Sequence, residues 1–71
     1  MKFSERLAFC RKSKNLKQKQ MAEFLGIGER AYQNYEYGTR EPDLETFVRL
    51  ADFFNVSLDY LAGQSDKPDR H

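Results

Sequence analysis

Apolar residues recur at helical spacing along most of this 71-residue chain, and short polar breaks divide the pattern into five segments. The first segment predicts a helix from about Ser4 to Lys14, with Ser4 as its N-cap. In the second segment the inward positions fall at i, i+3, i+4 and i+7: Gln18, Met21, Ala22 and Leu25. The pattern as a whole predicts an all-α fold, a compact five-helix bundle.

The second and third segments meet at Gly26 across only a few residues. After this joint Ile27 enters the core, and Tyr32 and Tyr35 continue the inward stripe at i, i+3. So short a connection forces the third helix to cross the second and stand away from it. This is the outline of a helix-turn-helix.

Turn residues set the limits of the last two helices. Gly38 suits a left-handed helix end, and Pro42 keeps the preceding residue extended. Asp43 and Ser57 are predicted N-caps, and Gly63 ends the last short turn. The inner face of the fourth helix is predicted to hold Leu44, Phe47, Val48, Leu50, Ala51 and Phe54. Residues 1–63 therefore form one predicted domain, and residues 64–71 a polar, disordered tail.

The outward arc of the third helix is rich in forked or planar hydrogen-bonding groups and contains no aliphatic residue. It presents Arg30, Gln33, Asn34 and Tyr37, with Glu29 at its leading edge. Arg can bind guanine through two parallel hydrogen bonds, Asn or Gln can do so at adenine, and Glu can accept from cytosine. The alternative is an ordinary solvated helix face. The tight turn beside this arc favours a surface that reads base edges in double-stranded DNA.

The charge is polarised along the chain although the net charge is only +1. Residues 1–40 contain nine Lys or Arg against four Glu, a net +5, whereas residues 41–71 contain three against seven acidic residues, a net −4. A protein with one phosphate-facing side would show this distribution. A solvated basic face without a partner is the alternative interpretation.

Length and composition restrict the class of protein. A chain of 71 residues with 39% hydrophobic and 32% charged residues is typical of one soluble domain. No apolar run approaches the roughly 20 residues of a membrane span, and the N-terminus has no signal-peptide core, so we expect a cytoplasmic protein, bacterial or phage-encoded. The lone Cys10 and the terminal His71 supply neither a metal site nor a catalytic set. We therefore expect no cofactor and no enzyme activity, and a buried, structural Cys10.

Two charged residues occupy inward positions of the helical pattern. Arg11 follows Leu7 by four residues, and Glu36 follows Tyr32 by four. A partly buried pair between them would tie the first helix to the third and fix its orientation. In the alternative, each side chain reaches solvent at the edge of its own helix.

Taken together, these motifs resemble the helix-turn-helix domain of the XRE family of bacterial and phage regulators, which includes lambdoid repressors and Cro. The resemblance covers about residues 3–63. The residues that match the family pattern in register are Gln18, Ala22, Leu25, Gly26, Tyr35, Glu36, Gly38, Pro42, Leu50, Ala51 and the closing VSLDYLAG. The implied fold is that of a lambda repressor-like DNA-binding domain.

The resemblance also implies roles for single residues. It assigns base reading in the major groove to Glu29, Arg30, Gln33 and Asn34. It assigns DNA phosphate contacts to Lys17, Gln18, Thr39 and Arg40. Tyr37, which the helical pattern places on the outward arc of the third helix, is a fifth candidate for a phosphate contact. It also pairs Arg11 with Glu36. Family members usually bind near-palindromic operators as homodimers and repress or activate transcription.

Three departures from the family pattern affect these expectations. Lys17 and Gly28 replace residues that usually cap the second and third helices, so helix 2 should begin less firmly. Glu29 would bring a carboxylate close to DNA, where it would either select a cytosine or repel phosphates, and weak nonspecific binding is expected. The hydroxyl of the large Tyr32 is expected to reach the surface. Phe53 and Tyr60 are weak candidates for a dimer contact. A protein-binding module of the same fold, such as an antitoxin or anti-repressor, remains the alternative function.

Overall fold

The computed structural model describes residues 1–69, and this part of the chain forms five α-helices without a strand. They are α1 (Phe3–Ser13), α2 (Gln18–Leu25), α3 (Glu29–Tyr37), α4 (Leu44–Phe54) and α5 (Leu58–Leu61). The predicted all-α, five-helix architecture is confirmed. Among these helices, none is long and apolar enough to cross a bilayer.

Backbone groups at the start of α1 and α2 bond to side chains three residues later. The N-cap of α1 is Lys2, and the prediction that Ser4 caps this helix was wrong. The reason is that Glu5 Oε1 accepts from the Lys2 backbone N–H at 3.0 Å, which draws the helix start toward the N-terminus. In α2 the Lys17 backbone N–H donates to Gln20 Oε1 at 2.8 Å. An ammonium cannot accept a hydrogen bond, so each helix has only this half of a capping box.

The predicted caps of the later helices are present. Asp43 Oδ1 accepts from the Thr46 backbone N–H at 2.9 Å, and this bond holds the pKa of the carboxyl below its usual value. Ser57 caps α5 in the same manner, accepting from Tyr60 N–H at 3.0 Å. Gly38 ends α3 at φ +82°, a left-handed conformation that residues with a Cβ adopt at a cost.

The core lies where α3 packs on α1 and α2 and where α5 packs on α1 and α4. Its buried members are Leu7, Cys10, Met21, Ala22, Leu25, Tyr32, Leu50, Ala51, Phe54, Val56 and Leu61. Cys10 is buried as predicted, and burial raises the pKa of its thiol against the opposing effect of Arg6 and Lys14. Leu44 departs from its predicted inward position: it begins α4 and is 74% exposed.

A buried arginine connects α1 to the chain that follows α5. The Arg6 guanidinium lies 3.8 Å from the ring centroid of Tyr60 and donates to the Ser65 carbonyl at 3.2 Å and to Asp66 Oδ1 at 3.3 Å. The described part of the C-terminal segment therefore contacts the first helix. Disorder of residues 64–71 stays a prediction, and its last two positions lie outside the described residues.

Candidate nucleic-acid interface

Helix α3 carries the predicted base-reading side chains outside the fully buried position of Tyr32. Glu29 and Arg30 are exposed, whereas Gln33 and Asn34 are half-buried. Within residues 1–69 no hydrogen bond or ion pair engages the Arg30 guanidinium. Its five donors are therefore free for an external acceptor.

The predicted phosphate-binding side chains flank the helix-turn-helix. Lys17 precedes α2 and is exposed, and Tyr37 at the end of α3 is 65% exposed. Thr39 and Arg40 are also exposed, and their backbone N–H groups both donate to the Asn34 carbonyl, at 3.1 and 3.3 Å. This shared acceptor fixes the turn after α3 to the helix itself. The two side chains consequently project from a well-defined position beside the outward face of α3.

Arg11 of α1 and Glu36 of α3 form an ion pair between these two helices. Arg11 Nε lies 2.6 Å from Glu36 Oε2 and its Nη2 lies 3.1 Å from Oε1, so the contact is bidentate. The side chains are only 12% and 5% exposed. A further bond from Arg11 Nη1 to the Leu16 carbonyl, at 2.8 Å, holds the guanidinium against the α1–α2 connection. Neither charge reaches solvent along its own helix, as the alternative interpretation would require.

Tyr32 is a third partner in this buried cluster. Its ring is fully buried and its hydroxyl donates to Glu36 Oε2 at 2.5 Å, so the expectation that the hydroxyl reaches the surface was wrong. Burial, reinforced by the bond to Glu36, raises the pKa of Tyr32 far above its usual range. Burial alone would raise the pKa of Glu36, but hydrogen bonds from Arg11, Tyr32 and Gln18 outweigh it and hold that pKa below its usual value. Glu36 is thus an anion at neutral pH.

A line of side-chain amides leads from this carboxylate to the surface of α3. Gln18 Nε2 donates to Glu36 Oε1 at 3.1 Å, and Gln33 Nε2 donates to Gln18 Oε1 at 3.2 Å. Gln33 Nε2 also lies 3.5 Å from Glu29 Oε2, at the limit of a hydrogen bond. Gln18, predicted to hold a phosphate, therefore uses its oxygen and one N–H within the protein, which leaves its second N–H for a phosphate oxygen.

A known protein family matches most of this chain in sequence. Residues 7–61 match the family model described as Helix-turn-helix. The chain belongs to the XRE-type helix-turn-helix family. The predicted family resemblance is confirmed. The match begins at Leu7 within α1 and extends through α2, α3 and α4 to Leu61, the last residue of α5.

Named relatives of this XRE-type chain are regulators of transcription. It is 50% identical over 66 residues to the uncharacterized HTH-type transcriptional regulator YqaE of Bacillus subtilis, covering 92% of this chain and 57% of the relative. It is 44% identical over 64 residues to the cryptic phage CTXphi transcriptional repressor RstR of Vibrio cholerae serotype O1, covering 90% and 57%. A transcriptional regulator from Listeria innocua superposes with a TM-score of 0.84 at 39% identity, covering 87% and 58%. The chain thus spans less than three fifths of the length of each.

Sequence reasoning missed several hydrogen bonds of this XRE-type site, among them those of the Tyr32 hydroxyl and the Gln33 amide. The bond from Tyr32 to Glu36 joins residues four apart on α3, so helical spacing could have suggested it. The bond from Gln33 to Gln18 joins residues 15 apart on different helices. Nothing in the local sequence signals that second contact, because it depends on how α3 crosses α2.

Proposed function

We propose that this domain is a sequence-specific regulator of transcription, most simply a repressor, that inserts α3 into the major groove of a double-stranded DNA operator. One observation carries the proposal: the outward face of α3 holds the free guanidinium of Arg30 beside the amides of Gln33 and Asn34. The opposite face is anchored through Tyr32 and Glu36. The repressor name of the Vibrio relative supports the direction of regulation. A role on DNA would place the protein in the bacterial cytoplasm, at the nucleoid.

The contacts divide into two tasks. Base edges would be read by the side chains of α3: Glu29, Arg30, Gln33 and Asn34. Phosphates would be held by the residues around them: Lys17, Gln18, Tyr37, Thr39 and Arg40. Phosphate contacts set position and affinity on any sequence, whereas base contacts discriminate between sequences. Each good bidentate base contact should contribute about 1–3 kcal/mol of discrimination.

Two arginine variants separate these tasks. Arg30→Ala should flatten the preference at one base pair, because it removes a forked donor from the reading face. Arg40→Ala should weaken binding to all sequences alike and make the salt dependence shallower by about one unit of slope. Both side chains are exposed, so neither change should disturb folding. Binding of the two variants and the parent to an operator library measures both effects, and an unchanged sequence profile for Arg30→Ala would exclude Arg30 from base reading.

Salt dependence separates a DNA reader from a protein-binding module of the same fold. A DNA-binding domain releases counterions, so the logarithm of its affinity for random duplex must fall steeply with the logarithm of salt concentration. The −4 charge of residues 41–71 would suit a basic protein partner instead. A flat salt response with random duplex, at 50 to 200 mM salt, would favour the protein-binding role of an antitoxin or anti-repressor.

We propose that the domain acts as a homodimer on a near-palindromic operator. Its Cα atoms extend only 31 × 21 × 21 Å, so one copy covers a few base pairs, whereas half-sites about 34 Å apart lie on one face of DNA. The suggested contact residues Phe53 and Tyr60 are both half-buried, the first 4.5 Å from the ring of Phe24 and the second beneath Arg6. Analytical ultracentrifugation at micromolar concentration, with and without operator, measures the stoichiometry.

A further inference from the structure

The amide nitrogen of Gln33 points into the protein. It lies 3.2 Å from Gln18 Oε1 and 3.5 Å from Glu29 Oε2. A primary amide has two N–H donors and one carbonyl oxygen. The first contact engages one donor and the second, at the limit of hydrogen-bond distance, directs the other donor toward Glu29, so the side-chain oxygen Oε1 is the group that Gln33 offers to a partner outside the chain.

The direction of this amide follows from the buried carboxylate of Glu36. An ionised carboxylate can only accept hydrogen bonds, and this one is fixed by Arg11 at 2.6 Å. Gln18 must therefore turn its NH₂ group toward Glu36, which leaves its own oxygen facing Gln33. That oxygen requires a donor, so Gln33 must present its nitrogen inward. The arrangement of the two amides is set by charge.

Within residues 1–69 no donor engages the side-chain oxygen Oε1 of Gln33, and this side chain is half-buried on the outer side of α3. We infer that Gln33 reads DNA as a hydrogen-bond acceptor for the exocyclic amino group of adenine or cytosine, with Gln18 and Glu29 as positioning residues. This inference rests on the proposed function. It differs from the usual bidentate recognition of adenine by Gln, in which the amide also donates to N7.

The chemistry of base edges makes the inference specific. In the major groove only adenine N6 and cytosine N4 offer a donor, whereas guanine and thymine offer acceptors. The carbonyl oxygen of Gln33 can therefore bond to either amino group and to no group of guanine or thymine. Glu29, in turn, acts by occupying one N–H of Gln33, in place of its expected role of selecting a cytosine directly.

Base analogues test the inference on the full chain. The best-bound duplex is first selected from random sequence, and Gln33→Met, which keeps the length of the side chain, identifies the base pair that Gln33 reads. The amino-bearing base there is then replaced by an analogue without the amino group: purine for adenine, or 2-pyrimidinone for cytosine. We expect this loss to weaken binding by the parent about fivefold or more beyond its effect on Gln33→Met, which corrects for weaker base pairing.

Removal of purine N7 at the same base pair tests whether Gln33 also donates a hydrogen bond. A 7-deaza analogue should weaken the parent and Gln33→Met equally, because the donors of Gln33 are directed toward Gln18 and Glu29 and not toward N7. Glu29→Ala frees one N–H of Gln33. In a duplex with adenine at this position, 7-deazaadenine should therefore weaken binding by Glu29→Ala about fivefold more than it weakens binding by the parent.

The outcomes separate this inference from the proposed function. If the parent selects no sequence from random duplex, both are wrong. If it selects one but Gln33→Met changes no position, or amino-group removal affects both proteins equally, only the acceptor role of Gln33 is overturned. Equal sensitivity of the parent to loss of N7 and of the amino group would show bidentate recognition and would also overturn it. Once Gln33→Met has identified the base pair, the comparison of amino-group loss with N7 loss uses the parent alone.

Discussion

Removal of one member of the Arg11–Glu36 pair should destabilise the domain more than removal of both. In Arg11→Met the Glu36 carboxylate stays buried at 5% exposure and loses its only counterion among the described residues. It keeps the Tyr32 hydroxyl at 2.5 Å and the Gln18 amide at 3.1 Å. In the double variant Arg11→Met/Glu36→Gln, the charge that needs compensation is also removed.

The magnitude follows from the burial of the pair. Removal of one partner of a buried ion pair lowers the unfolding free energy by about 3–5 kcal/mol. Because Glu36 keeps two other hydrogen-bond donors, we expect Arg11→Met to lose about 3 kcal/mol, the lower end of this range. A domain of this size has a total unfolding free energy of roughly 4–11 kcal/mol. The single variant should therefore lose a large part of its stability, with a Tm lower by roughly 12–24 °C. The double variant should lose at least about 1 kcal/mol less than Arg11→Met.

Urea denaturation monitored by circular dichroism measures these differences in a double-mutant cycle. Lys12→Met is the matched control, because Lys12 is the exposed neighbour of Arg11 on the same helix and its loss should change stability by no more than about 0.5 kcal/mol. If Arg11→Met costs less than about 1 kcal/mol, the carboxylate is not effectively buried. If the double variant loses the sum of the two single losses, the charges do not depend on each other.

Three smaller predictions concern caps, backbone conformation and pH. Asp43→Ala should destabilise the domain by about 1 kcal/mol, because the Thr46 N–H loses its acceptor. Gly38→Ala should cost about 1–2 kcal/mol, because a Cβ is strained at φ +82°, whereas Gly28→Ser at φ −69° should gain a few tenths of a kcal/mol as an added N-cap. Glu36 has a folded pKa below its ordinary value of about 4.3, so its contribution is complete above about pH 5 and is lost as pH falls through the folded pKa.

The first two predictions are measured as unfolding free energies, with Asp43→Asn as the conservative control that keeps the cap. Equal effects of the two glycine substitutions would contradict the argument from backbone conformation. The acid prediction is measured as the difference in stability between the parent and Glu36→Gln from pH 7 to pH 3. That difference should narrow below about pH 4, and a constant difference would show that the folded and unfolded pKa values of Glu36 are equal.

The amino-acid sequence alone predicts the five helices and the outward side of α3. Helical spacing of apolar residues is a local property, so it predicts which side of α3 faces inward without any knowledge of the rest of the fold. Gly26, Gly38 and Asp43 mark helix ends by their own backbone and side-chain preferences. The same spacing placed Arg11 and Glu36 on inward faces, and charge alone suggested that they meet.

The hydrogen-bond partners of the polar groups depend on how the helices pack together. Tyr32 could reach solvent or a buried carboxylate from the same helical position, and the packing of α1 and α2 over it selects the carboxylate. The contact between Gln18 and Gln33 depends on how α3 crosses α2. Gln33 is the donor in this contact because the Glu36 carboxylate already accepts from the Gln18 amide nitrogen. Such bonds link residues far apart in sequence, so no local pattern specifies them. They exist because each buried donor and acceptor must find a partner once the helices have packed.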